Sequence, residues 1–183
     1  MVFNSDKTGF PIIENEDYKM RELRESDVSD LFEYYGDADH MKYNSSHPHN
    51  SKDETHAMIK KLMGSFPNNK GIAWAIEEKH TKKVIGNIGL FYMDSDRVKA
   101  GVGYNINKNY QNQGIATWAL KSCIESAFML FKVNEIEASC KSINYASERV
   151  MKKCGMKLKE VLQKASEKDG ILYDKLIYYI SSQ

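Results

Sequence analysis

Two apolar runs separated by a short charged turn constrain this chain more than any other feature. Residues 72–77 (IAWAIE) and 84–93 (VIGNIGLFYM) are rich in β-branched and aromatic side chains, with only EKHTKK between them. A connection that short joins neighbouring strands as an antiparallel hairpin, because a parallel crossover needs a dozen residues or more. The C-terminal end repeats the pattern: residues 156–163 and 171–180 flank the turn SEKDG. A chain with hairpins at its centre and its end does not form a purely parallel sheet.

Between the hairpins the period changes. AGVGYNI, residues 100–106, reads as a further strand. Ile115, Ala116, Ala119, Leu120, Cys123, Ile124, Ala127, Phe128 and Phe131 then trace one apolar face at helical spacing. Residues 135–141 read as a strand and 145–154 as a short helix, stopped by Gly155. Upstream, residues 18–23 read as a strand after an N-terminal extension, 1–17. Ser26 and Asp27 open a helix carrying Val28, Leu31, Phe32 and Tyr35; residues 36–50 are polar and turn-rich; Ser51 opens a second helix ending near residue 65. The order β-α-α-β-β-β-α-β-α-β-β predicts an α/β fold of the α+β kind: a mixed, mostly antiparallel central sheet with helices on both faces.

Length and charge narrow the function classes. At 183 residues with 42% apolar content, the chain suits one domain spanning 1–183. Its 26 Lys+Arg against 25 Asp+Glu leave a net charge of +1, which offers no electrostatic basis for binding nucleic acid or an anionic membrane. No apolar run is long enough to span a bilayer, and the acidic, discontinuous start does not resemble a secretory leader. Cys123, Cys140 and Cys154 form no C-x-x-C pair, so the expectation is reduced, buried thiols in a cytoplasmic protein.

The segment that promises chemistry is QNQGIATWAL, residues 111–120, where strand AGVGYNI passes through NKNY into the long helix. The first free N–H groups of a helix point outward, and its dipole favours an anion there. Gly114 lacks a Cβ, so a phosphate can approach the backbone, and Ala116 and Thr117 keep the first turn uncrowded. On these residues alone, an anion site and a helix start merely eased by glycine both stand. There is no G-x-x-x-x-G-K-[ST], and the lone G-x-G of Gly101 and Gly103 lies inside a strand, which excludes a P-loop and a dinucleotide fingerprint.

Gln111-Asn112-Gln113-Gly114-Ile115-Ala116 resembles the Q/R-x-x-G-x-G/A signature of the GNAT N-acetyltransferase superfamily. GVGYNINKNYQNQGIATWAL, INYASERVMKKCGMKL and DGILYDKLIY further resemble three successive blocks of one branch, the ribosomal-protein N-terminal (alanine/serine) acetyltransferases. YKMREL through KKVIGNIGL fits the same branch, so the resemblance covers about residues 18–180. It implies a GNAT-like fold and acetyl-CoA held between residues 101–106 and 135–141. Backbone groups of Tyr104, Asn105 and Ile106 would hold the pantetheine, and amides around Gln111, Asn112, Gln113, Gly114, Ile115, Ala116 and Thr117 the pyrophosphate. Asn144 and Ser147, in N-x-x-S, match positions at the thiol end of the cofactor; the branch uses the serine to protonate the departing thiolate, with Tyr104 beside the reaction. Read without the resemblance, Asn144 is an N-cap with Ser147 in the first turn. Arg149, Lys152 and Lys153 offer charges for the 3′-phosphate, with one of them expected to take part.

The resemblance also implies an amine acceptor: a protein N-terminus, or a small molecule such as a polyamine or an aminoglycoside. Attack would be direct, within a ternary complex, and a homodimer is left open. Three positions depart from the branch: Trp118 where a glutamate is common, Asn105 where Trp is common and Asn112 where Gly is common. The first two put the acceptor pocket in question. Candidate proton acceptors are Glu77, Glu78, Tyr92, Asp94 and Tyr104, none singled out, while Asp174 reads as structural. A polyamine would want carboxylates, which Asp37, Asp39, Asp53 and Glu54 offer. His40, His47, His49 and His56 fall short of a closed ligand set, so no metal is expected; His47 or His49 would line the substrate entrance. The competing readings are an acyl-CoA-binding module without turnover and a structural protein with a fortuitous glycine turn.

Overall fold

The central hairpin seeds the sheet. The computed structural model describes residues 2–44, 46–94 and 96–182. In it, β4 (Gly71–Glu78) and β5 (Val84–Tyr92) pair antiparallel from Gly71↔Phe91 to Glu77↔Val84. Among the described residues, nine strands form one sheet in the order β1-β2-β3-β4-β5-β6-β7-β9-β8. The others are β1 (Val2–Ser5), β2 (Pro11–Glu14), β3 (Tyr18–Glu22), β6 (Lys99–Ile106), β7 (Glu135–Lys141), β8 (Lys157–Lys168) and β9 (Ile171–Ser181). Every pairing is antiparallel except β6 with β7, so the sheet is mixed and mostly antiparallel as the turn lengths predict.

The helices divide between the two faces because β4 is apolar on both. Ile72, Trp74 and Ile76 point to one side, where α4 (Ile115–Met129) and α5 (Tyr145–Lys153) cover them together with Ile88, Leu90, Val102 and Ile136. Ala73 and Ala75 point to the other, beneath α1 (Val28–Tyr35) and α3 (Lys52–Met63), with Leu31, Tyr34 and Ile59 fully buried. Alternating side chains on one strand thus divide the core into two layers. Ser51 caps α3 by accepting from the Glu54 amide, and Gly155 ends α5 in a left-handed conformation at φ 81°.

Two elements depart from the periodicity. Within the N-terminal extension, β1 and β2 continue the sheet beyond β3, and Phe10 and Ile13 join the core. The stretch 36–50 holds a one-turn helix, α2 (Ala38–Met41), capped by the Asp37 carboxylate on the Asp39 and His40 amides. One turn is too short to show a helical period, so only the cap signalled it.

Candidate functional site

The site begins where the ladder between β6 and β7 stops. These parallel strands pair only at Lys99↔Glu135, Ala100↔Ile136 and Gly101↔Glu137. Beyond that register β6 stays with β5 and β7 follows β9, so the two strands splay apart. Residues 102–106 of β6 and 138–141 of β7 become the walls of a cleft of about 900 Å³. The β6 edge facing it has no strand partner among the described residues, which leaves main-chain hydrogen-bonding groups to a ligand.

The floor of one end is the start of α4. Gly114 is its N-cap, left-handed at φ 82°, and no side chain caps the helix. Asn112, two residues earlier, is left-handed as well, at φ 62°, and successive N–H groups in turns of this kind form anion-binding concavities. A Cβ built on Gly114 would meet no atom within 4 Å, so the glycine faces open space. The Gln111 side chain is turned back to donate from Nε2 to the Ile106 carbonyl at 3.0 Å, tying the loop to the strand. Gln111, Asn112, Gly114, Ile115 and Ala116 line the cleft; Gln113 is exposed, and neither it nor Thr117 is part of the lining.

Across the cleft stands the first turn of α5. Asn144 caps it, accepting from the Ser147 amide at 3.1 Å. Ser147 Oγ lies 2.9 Å from the Tyr104 hydroxyl, which is also 3.3 Å from the Ser147 carbonyl. Burial pushes the Tyr104 phenol far above its ordinary value, with the Ser147 contact pulling the other way, so Tyr104 holds its proton at neutral pH. Tyr104, Ser147 and Asn144 therefore form one cluster facing the cleft. Arg149 and Lys153 also line it, whereas Lys152 is held by Glu148 at 2.7 Å.

Alternation sends the remaining residues of β6 and β7 to the opposite face, toward α1 and α2. Asn105 Nδ2 donates to the Tyr35 hydroxyl at 3.2 Å, and its Oδ1 accepts from Asn44 Nδ2 at 3.0 Å. Tyr34 and Tyr35 both donate to Asn87 Oδ1, at 3.0 and 3.1 Å. His40 lines this part of the cleft, and burial lowers its pKa, so it is neutral at pH 7. His49 is not at the entrance: it stacks on Tyr35 with centroids 5.1 Å apart and bonds Thr55 at 2.8 Å. His47 is exposed and outside the cleft lining.

Several sequence candidates for the proton acceptor lose that role. Glu77 is buried in an ion pair with Arg21 at 2.6 Å, and Arg21 also grips Asp27 through two bonds of 2.9 Å. Glu78, Tyr92 and Asp94 do not line the cleft; Tyr104 does but keeps its proton, which leaves, unanticipated, His40. Asp174 lies outside the cleft lining and accepts from the Lys164 amide at 2.9 Å. The three cysteines are free and buried; burial raises Cys123 to about 12 and Cys140 and Cys154 to about 11, so none is an activated nucleophile. Among the described residues no group of acids, histidines and cysteines forms a metal site, and no helix is long and apolar enough to cross a membrane.

Residues 18–157 match the family of acetyltransferase (GNAT) domains. The uncharacterized N-acetyltransferase YoaA of Bacillus subtilis is 26% identical over 171 residues, covering 93% of this chain and 97% of its own. A GNAT-family acetyltransferase from Bacillus anthracis superposes with a TM-score of 0.84 at 25% identity, over 93% of this chain and 98% of its own. RimL, a ribosomal L7/L12 alpha-N-protein acetyltransferase solved with coenzyme A, superposes with a TM-score of 0.85 at 18% identity, over 93% and 97%.

Proposed function

This chain belongs to the GNAT acetyltransferase family, and from that premise we propose that it transfers the acetyl group of acetyl-CoA to a primary amine. The observation that carries the reading is the meeting, on one cleft, of an unpaired strand edge and an uncapped helix start. The residues fit the cofactor. Amides of Asn112, Gly114, Ile115 and Ala116 would receive the pyrophosphate, with the N–H groups of Gln113 and Thr117 completing the same turn. The edge at Tyr104, Asn105 and Ile106 would hold the pantetheine in extended form and polarise the thioester carbonyl. Arg149 or Lys153 would meet the 3′-phosphate.

Acetyl-CoA supplies an acyl group activated as a thioester: a C–N bond forms, the C–S bond breaks, the amine gives up a proton and the sulfur takes one. On this reading Ser147 Oγ and Tyr104 Oη, 2.9 Å apart, are the proton-supplying pair for the departing sulfur. On the opposite face His40, kept neutral by burial, can accept the proton of the incoming ammonium. Attack is direct, since the buried thiols offer no acyl-enzyme route.

The test has two stages. CoA raises the melting temperature, because a ligand that binds only the folded state stabilises it. Thiol release from acetyl-CoA then depends on added amine. Stabilisation without turnover on any amine would replace the enzyme reading by that of a non-catalytic acyl-CoA-binding module. No stabilisation by CoA would remove both.

A further inference from the structure

The acceptor half of the cleft holds an ammonium group that makes no ion pair among the described residues. Lys141, the last residue of β7, is buried at 3% exposure, and its Nζ donates to the Asn44 carbonyl at 3.2 Å. The ammonium also sits 5.8 Å from the centre of the Tyr173 ring. No ion pair to Lys141 exists among the described residues. Lys175 lies directly across the β7–β9 ladder from Lys141, hence on the same face, and both line the cleft. Lys42 lines it as well. Lys168 stands near enough to act with burial in lowering the Lys141 pKa, against Asp169, which raises it.

Of the acids that would receive a polyamine, most are engaged elsewhere or lie off the cleft. Asp37 pairs with Lys108, Glu54 accepts from the Asn50 amide at 3.1 Å, and neither Asp53 nor Glu54 lines the cleft. Asp39 is the single carboxylate among the described lining residues, against Lys42, Lys108, Lys141, Arg149, Lys153 and Lys175. Arg149 and Lys153 stand on α5, across the sheet from Lys141. A buried ammonium held by one carbonyl and an aromatic face, with no carboxylate, is costly to desolvate, and an oxyanion is the group that repays it.

We propose that the acceptor is a small amine carrying its own carboxylate or phosphate, and that Lys141, assisted by Lys175, binds this oxyanion on the face of β6 and β7 opposite α5. The proposal rests on the acetyl-transfer reading, and it identifies the substrate class of that site. The oxyanion at Lys141 fixes one end of the acceptor, and its amine reaches toward the splayed strands near Gly103, where an added Cβ would meet nothing within 4 Å.

The experiment compares kcat/KM for propylamine, β-alanine, 2-aminoethyl phosphate and 1,3-diaminopropane, four short amines that differ in what they carry. The expected order places one or both anionic amines above propylamine and the diamine last; β-alanine against 2-aminoethyl phosphate separates a carboxylate from a phosphate acceptor. Lys141→Met is expected to reduce the preference for the anionic amine over propylamine about 10-fold or more, the scale of one charge-assisted hydrogen bond. Lys175→Gln is expected to reduce it less, and it serves if Lys141→Met does not fold. Preference for the diamine, or an anionic preference unchanged in the folded variants, overturns the proposal. A second readout is independent of turnover: inorganic phosphate should raise the melting temperature of the CoA-saturated protein, and less so for Lys141→Met. If CoA itself does not stabilise the protein, the acetyl-transfer reading fails, while phosphate titration of wild type against Lys141→Met still decides this one. Equal phosphate shifts in the two proteins overturn it.

Discussion

Gly114→Val separates a helix start that serves the fold from one that serves a ligand. In the folded chain an added Cβ meets no atom within 4 Å, so the first atom of the new side chain enters open space. Its cost is conformational: at φ 82° a residue with a Cβ pays about 1–2 kcal/mol, a β-branched one at the upper end. For a chain of 183 residues, about 2–4 °C of melting temperature accompanies each kcal/mol, so Gly114→Val should melt about 4–8 °C lower than wild type. The ligand effect is of similar size but separable. At CoA 100-fold above its Kd, wild type gains about 2.7 kcal/mol, or about 5–11 °C. In the variant an isopropyl group stands over the amides of the first turn. If affinity falls 100-fold, the same CoA concentration gives only about 0.4 kcal/mol, roughly 1 °C. Thermal melts of both proteins with and without CoA read the two effects independently. A folded Gly114→Val protein with the full wild-type CoA shift would refute the placement of the pyrophosphate on this loop.

Ser147→Ala should lower kcat while leaving the CoA-induced shift intact, because the Oγ meets Tyr104 at 2.9 Å and the amide stays capped by Asn144; an unchanged kcat would reduce Ser147 to a helix residue. Arg21→Met should cost about 3–5 kcal/mol, since it strands Asp27 and Glu77 as buried carboxylates without their cation; a fall in melting temperature under 3 °C would show that these acids find other partners. His40 has a lowered folded pKa, so below about 6.5 the unfolded chain takes up protons that the folded chain resists, and stability falls with pH through that window. His40→Gln should reduce the slope of stability against pH between about 7 and 5, a change readable from urea melts; a slope identical to wild type would show that His40 titrates alike in both states.

The parts of the fold that could be read from the sequence are those set by local chemistry. The EKHTKK turn, the Ser51 cap and the stripe from Ile115 to Phe131 each lie within a few residues of one another, and the elements they predict are present. The strand-loop-helix junction at Gly114 was legible for the same reason. What was not legible depends on which face a strand residue takes and on what packs there. Lys141 looks like an ordinary strand end in SCKS, yet alternation and the 36–50 segment bury it. His40 enters the cleft through one helical turn that carries no period, whereas His49, in the more suggestive His47-Pro48-His49 run, is taken up by Tyr35 and Thr55. Glu77 looked like a free acid on a strand until β3 placed Arg21 beside it.

The two departures flanking the signature can now be weighed separately. Trp118 replaces a common glutamate, but its side chain packs on the Tyr18 ring, with centroids 5.9 Å apart, and it does not line the cleft. That substitution lies on the core side of α4, so it says little about the acceptor. Asn105 lines the cleft, joining Tyr35 to Asn44, and the Asn44 carbonyl in turn holds Lys141. A large indole at position 105 could not bridge those two partners, because its single N–H donates and it has no acceptor oxygen. Of the two exchanges, the amide at 105 is therefore the one that faces the cleft: it holds the 36–50 segment against β6, and that segment brings a carbonyl to the buried ammonium.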